Sequence, residues 1–203
     1  MNNWYERVIL PRLVSYDMDD PALFETRAEL LKNVRGTVLE LGAGAGYNFP
    51  FYKDVEKVYA LEPSAGLIER AKEEAAKVSF PVEFLQGHSE SISLLDDSVQ
   101  TVVSTWTLCS VDDIQQTLKE VARVLAPGGT FVFVEHGASP NHFRRVIQKI
   151  HTIFSKRFMG NCHYDRHIGR ALHKAGFHID ELRCSNEPGS ILIYNYEGVA
   201  SLS

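Results

Sequence analysis

Short apolar runs alternate with longer amphipathic stretches along the chain from Thr37 onward. The short runs predict strands, and the stretches between most of them carry apolar side chains at helical spacing. This alternation is typical of a parallel sheet with helices packed on its faces. The first five predicted strands are TVLEL at 37–41, KVYALE at 57–62, VEFLQ at 82–86, VQTVVST at 99–105 and TFVFVEH at 130–136.

Helix signals stand between these strands. Pro63 and Ser64 mark a helix start after the second strand. Asp112 and Asp113 open the helix after the fourth strand, because acids are favourable at the positive end of a helix. We expect that second helix to continue up to the Pro-Gly-Gly breaker at 127–129.

Two closing strands are predicted at the end of the chain, FHIDELRC at 177–184 and ILIYNY at 191–196. A short turn around 186–189 links them, so they can pair as an antiparallel hairpin. The pattern therefore predicts a doubly wound α/β sheet of seven mostly parallel strands, with the last strand antiparallel.

A basic amphipathic helix is predicted over 141–157, in a region that carries no acid between Glu135 and Asp165. We expect its apolar stripe to pack in the core and its basic face to be solvated. The alternative is peripheral contact with anionic lipid, or acceptance of an acidic substrate. The stripe is Phe143, Ile147, Ile150 and Phe154, and the basic residues are Arg144, Arg145, Lys149, Lys156 and Arg157.

Composition narrows the class of protein. The chain has 203 residues, 44% of them hydrophobic, which suits a single domain over 1–203 with an N-terminal helical cap at 1–34 and a core at 35–203. Its net charge of −5 gives no general attraction to nucleic acid.

No apolar run is long enough to span a membrane, and the apolar segment at 4–14 is too short for a signal peptide. That segment either covers the pocket as a lid or packs on the domain.

Cysteine usage indicates the compartment. Cys109, Cys162 and Cys184 are widely spaced and odd in number, which predicts reduced thiols rather than a disulfide framework. We therefore expect a cytoplasmic protein.

A glycine-rich turn, LELGAGAGYN at 39–48, follows the first predicted strand. Ligands of open α/β sheets bind at the carboxyl ends of the strands, and Gly42 and Gly44 allow the backbone to approach a ligand closely. Glu62 lies at the end of the second strand, where a carboxylate can accept hydrogen bonds from both ribose hydroxyls of an adenosine cofactor.

Two adenosine cofactors fit these features, S-adenosylmethionine and NAD. Tyr47 stands where the dinucleotide fingerprint has a small residue. Glu40 would repel a pyrophosphate but suits the ammonium group of a methionine moiety. We therefore favour S-adenosylmethionine. An NAD-dependent oxidoreductase and a non-catalytic cofactor-binding module remain as alternatives.

The motifs VLELGAGAG, YALEPS, GHSESI and RVLAPGGTFVFVEH together resemble class I S-adenosylmethionine-dependent methyltransferases of the type 11 domain, over about 35–196. More narrowly, STWTLCSV, EHG, GNCHYDR and NYEGVA are similar to bacterial relatives of the methyltransferase-like seven group of thiol methyltransferases, whose animal members are membrane-associated. The resemblance implies a Rossmann-like fold, S-adenosyl-L-methionine as cofactor, S-adenosyl-L-homocysteine as product and a small-molecule acceptor.

The resemblance also implies which residues contact the cofactor. The glycine turn would surround the methionine part, Glu62 would take the ribose hydroxyls, His88 and Ser89 would meet the adenine, and Thr105 would lie beside the methyl donor. His88 replaces the acid that is common at its position. The full set is Glu40, Gly42, Gly44, Gly46, Glu62, Pro63, His88, Ser89 and Thr105.

The acceptor side offers one candidate base. A thiol or hydroxyl acceptor must lose its proton, and His136 follows the fifth strand at the ligand-binding edge. The alternative role for His136 is a hydrogen bond to the loop that follows it. The candidate pocket residues are Cys109, Cys162, His163 and Arg166.

Metal and nucleic acid are not expected. Cys162, His163 and His167 suggest a metal site, but no paired Cys-x-x-Cys motif accompanies them. The stretch at 104–107 reads Ser-Thr-Trp-Thr, whereas methyltransferases of DNA bases carry an acid or asparagine, two prolines and an aromatic there. The predicted acceptor is a small molecule, first a thiol and second a lipid headgroup or quinone-like hydroxyl.

Overall fold

A computed structural model describes residues 21–158, 160–187 and 189–202 of the protein. The strands are β1 (Arg35–Leu41), β2 (Asp54–Glu62), β3 (Val82–Gln86), β4 (Val99–Thr105), β5 (Leu125–His136), β6 (Phe177–Asn186) and β7 (Tyr194–Leu202). They form one sheet in the order β3-β2-β1-β4-β5-β7-β6. Only β7 runs antiparallel to its neighbours, β5 and β6. The predicted fold class is confirmed.

The described residues contain five α-helices, one before β1 and four between strands. The caps that the sequence predicts are present: the Ser64 side chain accepts from the Leu67 amide at 3.4 Å, and Asp113 accepts from the amides of Gln115 and Gln116. Such caps satisfy amides that have no partner within the helix. The helices are α1 (Pro21–Leu31), α2 (Ala65–Ala75), α3 (Ile114–Val124), α4 (His142–Phe158) and α5 (Ile168–Lys174).

The central strands β1, β4 and β5 are buried on both faces of the sheet, with alternate residues pointing to opposite sides. Leu39 and Phe131 belong to the apolar cluster that includes residues of α3 and α5. Val38 and Val132 belong to the cluster on the other face. This two-sided burial fixes the register of the central strands, and with it the position of the loops at their carboxyl ends.

Several predicted boundaries are wrong, and two of them have a clear physical reason. The helix α3 ends at Val124 rather than at the Pro-Gly-Gly breaker, because Leu125 is already extended, buried and paired with Val99 of β4. The second closing strand was expected at 191–196, but β7 begins at Tyr194 and continues to Leu202. Its later residues pair with both β5 and β6, which keeps this part of the chain extended.

The prediction for the basic helix is also wrong in its orientation. The apolar side chains of Phe143 and Phe154 on α4 are 66% and 61% exposed. The buried face is polar instead, because Gln148, Thr152 and Ser155 exchange hydrogen bonds with the backbone of adjoining loops. The helix therefore presents an apolar stripe and basic side chains on its outer side.

Within the described residues, no helix has both the length and the apolar character needed to cross a membrane. The helix α1 lies in the predicted cap. The predicted lid segment at 4–14 is outside the described residues.

Two glycines give a matched test of strand packing. A Cβ on Gly198 of β7 would lie 2.0 Å from the Glu181 carbonyl oxygen of β6, so Gly198→Ala must push the strands apart. We expect it to lower the free energy of unfolding by about 1–3 kcal/mol. Gly169→Ala in α5 meets nothing closer than 3.7 Å and should instead stabilise by up to about 1 kcal/mol. Urea denaturation checks both, and equal stability of the two variants would contradict this packing.

Candidate cofactor and acceptor site

The glycine turn follows β1 at the carboxyl edge of the sheet. Gly42 and Gly44 both adopt left-handed backbone conformations, with φ of 58° and 57°. A Cβ on Gly42 would lie 2.4 Å from Thr107 Oγ1, so this glycine permits close packing on the loop after β4. A Cβ on Gly44 would meet nothing closer than 3.8 Å. The space beside Gly44 is therefore open to a ligand.

Glu62 joins the end of β2 to this turn. One carboxylate oxygen accepts from the Gly44 amide at 3.0 Å, and the other accepts from the Ser64 amide at 2.9 Å. Burial raises the pKa of Glu62, and the two amides offset part of that effect. Each oxygen keeps a further lone pair, so the carboxylate can still accept hydrogen bonds from a ligand.

Glu40 lies beneath the turn rather than open to solvent. Its carboxylate is buried and accepts from Asn48 Nδ2 and from the Tyr52 hydroxyl, each at 2.9 Å. Asn48 Nδ2 also donates to Thr105 Oγ1 at 3.0 Å, which links Glu40 to the end of β4. Burial raises the pKa of Glu40 to about 7, although the hydrogen bonds from Tyr52 and Asn48 act in the opposite direction.

This raised pKa predicts a pH dependence of stability. The folded state favours protonated Glu40, and this preference adds to the free energy of unfolding. The added stability is fully present below the ordinary pKa near 4.5 and is lost as pH rises to about 7. Glu40→Gln is neutral throughout. Relative to wild type, the variant should therefore gain free energy of unfolding between pH 4.5 and 8, by at most about 3 kcal/mol. Urea denaturation at both pH values tests this, with the exposed Glu56→Gln as control. The same difference at both pH values would contradict it.

A buried carboxylate that the sequence analysis missed holds the loop after β4. Glu135 accepts four hydrogen bonds, from the Ser104 hydroxyl at 2.6 Å and from the amides of Thr107, Leu108 and Cys109 at 2.9–3.1 Å. Burial raises its pKa, and these hydrogen bonds counteract part of the effect. Glu135 therefore fixes the turn that presents Cys109 at the edge of the sheet.

Cys109, His136 and Cys162 come together beside this turn. The two sulfur atoms are 3.6 Å apart, and Cys162 Sγ lies 3.8 Å from His136 Nδ1. Hydrogen bonding with Cys162, reinforced by burial, raises the pKa of the Cys109 thiol, while the same contact lowers the pKa of Cys162. Burial acts to lower the pKa of His136, but Cys109 and nearby acids outweigh it and the pKa is raised.

Aromatic rings enclose His136. The Tyr164 ring stacks on it with centroids 5.5 Å apart and an angle of 15°. The Trp106 ring is tilted at a centroid distance of 6.4 Å. Trp106 in turn lies beneath the guanidinium of Arg27 on α1, at 5.1 Å from the ring centroid. The helix α1 therefore contacts the part of the sheet edge where Trp106 and His136 lie.

The other two predicted pocket residues, His163 and Arg166, contact the loop after β4. The Arg166 guanidinium donates to the carbonyls of Leu108 and Val111, so it supports the loop after β4. The His163 amide donates to the Cys109 carbonyl at 2.8 Å, and the His163 ring is outside the cluster of Cys109, His136 and Cys162. Burial, together with the positive charges of Arg166 and Lys156, lowers the pKa of His163 to about 4.

The loop after β3 borders the site on the side of β2. The Gly87 amide donates to the Glu62 carbonyl at 3.3 Å, and Gln86 Nε2 donates to the Pro63 carbonyl at 3.4 Å. Ser89 is buried in this loop and His88 is exposed. The residues predicted for ribose and adenine therefore lie on adjacent loops.

Comparison with known proteins identifies the family. Residues 39–133 match a family model described as a methyltransferase domain. Mouse thiol S-methyltransferase TMT1B is 32% identical over 157 residues, which cover 72% of this chain and 64% of that protein. The phosphatidylethanolamine N-methyltransferase of Cereibacter sphaeroides is 31% identical over 105 residues, which cover 51% of this chain and 52% of that protein. The chain thus spans less than two thirds of the length of these curated relatives.

The fold is shared with solved structures. A SAM-dependent methyltransferase from Leishmania major superposes with a TM-score of 0.73 over 97% of this chain and 80% of that one, at 18% identity. At this identity the likeness concerns the fold alone.

Proposed function

The chain belongs to the class I S-adenosylmethionine-dependent methyltransferases, and we propose that it methylates a small-molecule thiol. The observation that carries the proposal is the open space beside Gly44, with the buried Glu62 carboxylate at its edge. The thiol acceptor is supported by the likeness to the mouse thiol S-methyltransferase.

The residues at the carboxyl edge fit S-adenosylmethionine, which when bound supplies an electrophilic methyl group on a positively charged sulfur. The glycine turn leaves room for the ligand, and Glu62 would accept hydrogen bonds from the ribose hydroxyls. Ser89 and His88 would border the adenine. Thr105, held by Asn48, would lie on the methyl side.

The chain's own contribution on the acceptor side is to orient the thiol and accept its proton. The acceptor sulfur would use its lone pair to bond the methyl carbon while the bond from that carbon to the sulfonium sulfur breaks. His136 is the candidate that takes up the thiol proton, since it ends β5 at the carboxyl edge, with its ring beside those of Tyr164 and Trp106. These rings and Cys109 also limit the access of water.

A matched pair of glycines tests the cofactor site. Gly44 and Gly128 both have positive φ and no close neighbour, so an alanine at either position carries a similar backbone cost of about 1–2 kcal/mol. Gly128 lies near the start of β5, away from the carboxyl edge. We expect Gly44→Ala to weaken S-adenosylhomocysteine binding at least about tenfold, or 1.4 kcal/mol, and Gly128→Ala to leave it unchanged. Calorimetric titration measures both, and equal affinities would contradict the proposed site.

The acceptor is tested with methyl-labelled S-adenosylmethionine and a panel of thiols, phenols and amines. Mass spectrometry would detect the methylated product and S-adenosylhomocysteine together. We expect methyl thioethers from thiols and little product from the other classes. Methylation of amines or phenols in preference to thiols would refute the thiol acceptor.

A lipid headgroup is the second candidate acceptor, favoured by the outer face of α4. Its exposed apolar stripe is flanked by basic side chains, including Lys149, Lys156 and Arg157. Such a helix can rest on an anionic lipid surface. The Cereibacter sphaeroides relative is named for a phosphatidylethanolamine substrate. Because Ser155 and Thr152 hydrogen-bond to the loop at 162–164, a helix docked on lipid would hold the acceptor side close to the surface.

Vesicle flotation tests this peripheral contact. The protein should float with vesicles that contain phosphatidylglycerol but not with pure phosphatidylcholine. The double variant Phe143→Ser and Phe154→Ser should lose flotation without losing S-adenosylhomocysteine binding. Absence of flotation with anionic vesicles would exclude this surface as a lipid contact.

A further inference from the structure

Sulfur and nitrogen donors from three separate segments converge at the acceptor side of the sheet edge. Cys109 lies on the loop after β4, His136 ends β5, and Cys162 lies on the loop after α4. Their donor atoms are all within 4.8 Å of one another. We propose that these three side chains bind a zinc ion, and that the ion keeps one coordination position for an acceptor thiol.

Two of the three distances between donor atoms are close to those of a zinc site before any ion is bound. With Zn–S bonds of about 2.3 Å and Zn–N bonds of about 2.0–2.1 Å, tetrahedral ligand atoms stand roughly 3.5–3.8 Å apart. The observed separations are 3.6 Å between the two sulfurs and 3.8 Å between Cys162 Sγ and His136 Nδ1. Little movement is needed to bring these atoms around one ion.

The surrounding structure holds the donors in place. The His163 amide bonds to the Cys109 carbonyl, which ties the loop of Cys162 to the loop of Cys109. Glu135 fixes the Cys109 turn from below. The ring of Tyr164 stacks on His136 and sets its orientation. Preorganisation of this kind by neighbouring groups is typical of metal ligands.

The donor set selects the kind of ion. Two thiolates and an imidazole suit zinc or copper(I), and they do not suit magnesium or calcium, which bind oxygen. Within residues 21–158, 160–187 and 189–202, no fourth Cys, His, Asp or Glu joins this cluster. Three protein ligands leave a position for an exogenous ligand, as in catalytic rather than structural zinc sites.

The sequence predicted no metal because Cys162, His163 and His167 are not accompanied by a paired motif. The structure instead groups Cys162 with Cys109 and His136. The three members are more than twenty residues apart along the chain, so no short motif marks them.

The role of the ion rests on the proposed methyltransferase function. An acceptor R–SH would bind at the fourth position as R–S⁻ and release its proton to solvent. One sulfur lone pair then forms the bond to the methyl carbon, and the electron pair of the cleaved methyl–sulfonium bond remains on the sulfur of S-adenosylhomocysteine. Nothing is oxidised or reduced. The neutral thioether product is a weaker ligand than the thiolate and leaves. With the ion bound, His136 is a ligand, and this replaces the role of proton acceptor that the proposed function gives it in the metal-free protein.

Cobalt substitution tests the site without any methyl-transfer assay. Tag-free protein, reduced with a phosphine and stripped of metal, is titrated with Co²⁺. We expect one equivalent to produce the thiolate-to-cobalt charge-transfer band and the intense visible bands of tetrahedral cobalt, and Zn²⁺ to abolish them. Cys162→Ser should weaken binding by on the order of 100-fold or more, since loss of even outer-shell partners costs 10–100-fold. The exposed Cys184→Ser is the matched control and should bind like wild type. His136→Gln, which keeps both thiolates, should alter the spectrum.

The outcomes separate this inference from the proposed function. Absence of the charge-transfer band with excess Co²⁺ would overturn the metal site, even if S-adenosylhomocysteine still binds by calorimetry. A cobalt spectrum in a protein that does not bind S-adenosylhomocysteine would support the metal site and refute the methyltransferase function. Addition of 2-mercaptoethanol should shift the charge-transfer band. An unchanged spectrum would overturn the role in thiol binding.

Discussion

Replacing Glu62 with alanine is expected to raise the dissociation constant for S-adenosylhomocysteine by at least about a hundredfold. A hydrogen bond to a charged acceptor contributes roughly 1.5–3 kcal/mol, and Glu62 would accept one from each ribose hydroxyl. Loss of both amounts to about 3 kcal/mol or more, which corresponds to this change in affinity. The variant also releases the Gly44 and Ser64 amides, which loosens the turn itself.

Calorimetric titration provides the measurement for Glu62. Glu62→Gln keeps one acceptor oxygen and should fall between alanine and wild type. Glu56→Ala removes an exposed acid from the same strand and should bind like wild type. A Glu62→Ala protein that is folded and binds with wild-type affinity would show that the cofactor is held elsewhere.

Replacing Glu135 with alanine is expected to cost about 3–5 kcal/mol of unfolding free energy. The carboxylate is fully buried, and its removal leaves the amides of Thr107, Leu108 and Cys109 without their acceptor inside the protein. Breaking a buried charged network in this way is among the most destabilising single changes.

Urea denaturation compares this variant with Glu135→Gln. The amide oxygen of glutamine can replace Oε1, which accepts three of the four hydrogen bonds, but its NH₂ group cannot accept from the Cys109 amide. We therefore expect Gln to cost less than Ala. If Glu135→Ala were as stable as wild type, the buried network would have no net role in holding the loop.

The strands and the glycine turn after β1 were predictable because their signals are local. Apolar runs of five to seven residues gave β3 and β4 with their bounds, and the glycines at 42 and 44 lie in the left-handed turn that their spacing suggests. The acid at the end of β2 is a further local signal, because a carboxylate is rarely buried unless it has partners.

The parts that sequence reasoning missed depend on contacts between distant segments. The spacing of apolar residues in α4 predicted an apolar stripe, but it did not show which side of the helix faces the protein. That side is determined by hydrogen bonds between Gln148 and the loops at 137–139 and 192. Glu135 accepts from amides of a loop far away in sequence, and backbone donors leave no residue-type signal. Its position among apolar neighbours in FVFVEH was the one available sign. The Cys109, His136 and Cys162 cluster likewise needs the folded chain.

Thermal unfolding with S-adenosylhomocysteine and with NAD, run in parallel, tests most directly whether the glycine turn at the carboxyl edge of the sheet belongs to a methyltransferase cofactor site. A ligand present at about a hundred times its dissociation constant stabilises the folded state by about 2.7 kcal/mol. S-adenosylhomocysteine should raise the midpoint by several degrees, and NAD should leave it unchanged. A shift with NAD and none with S-adenosylhomocysteine would contradict the methyltransferase site at the glycine turn.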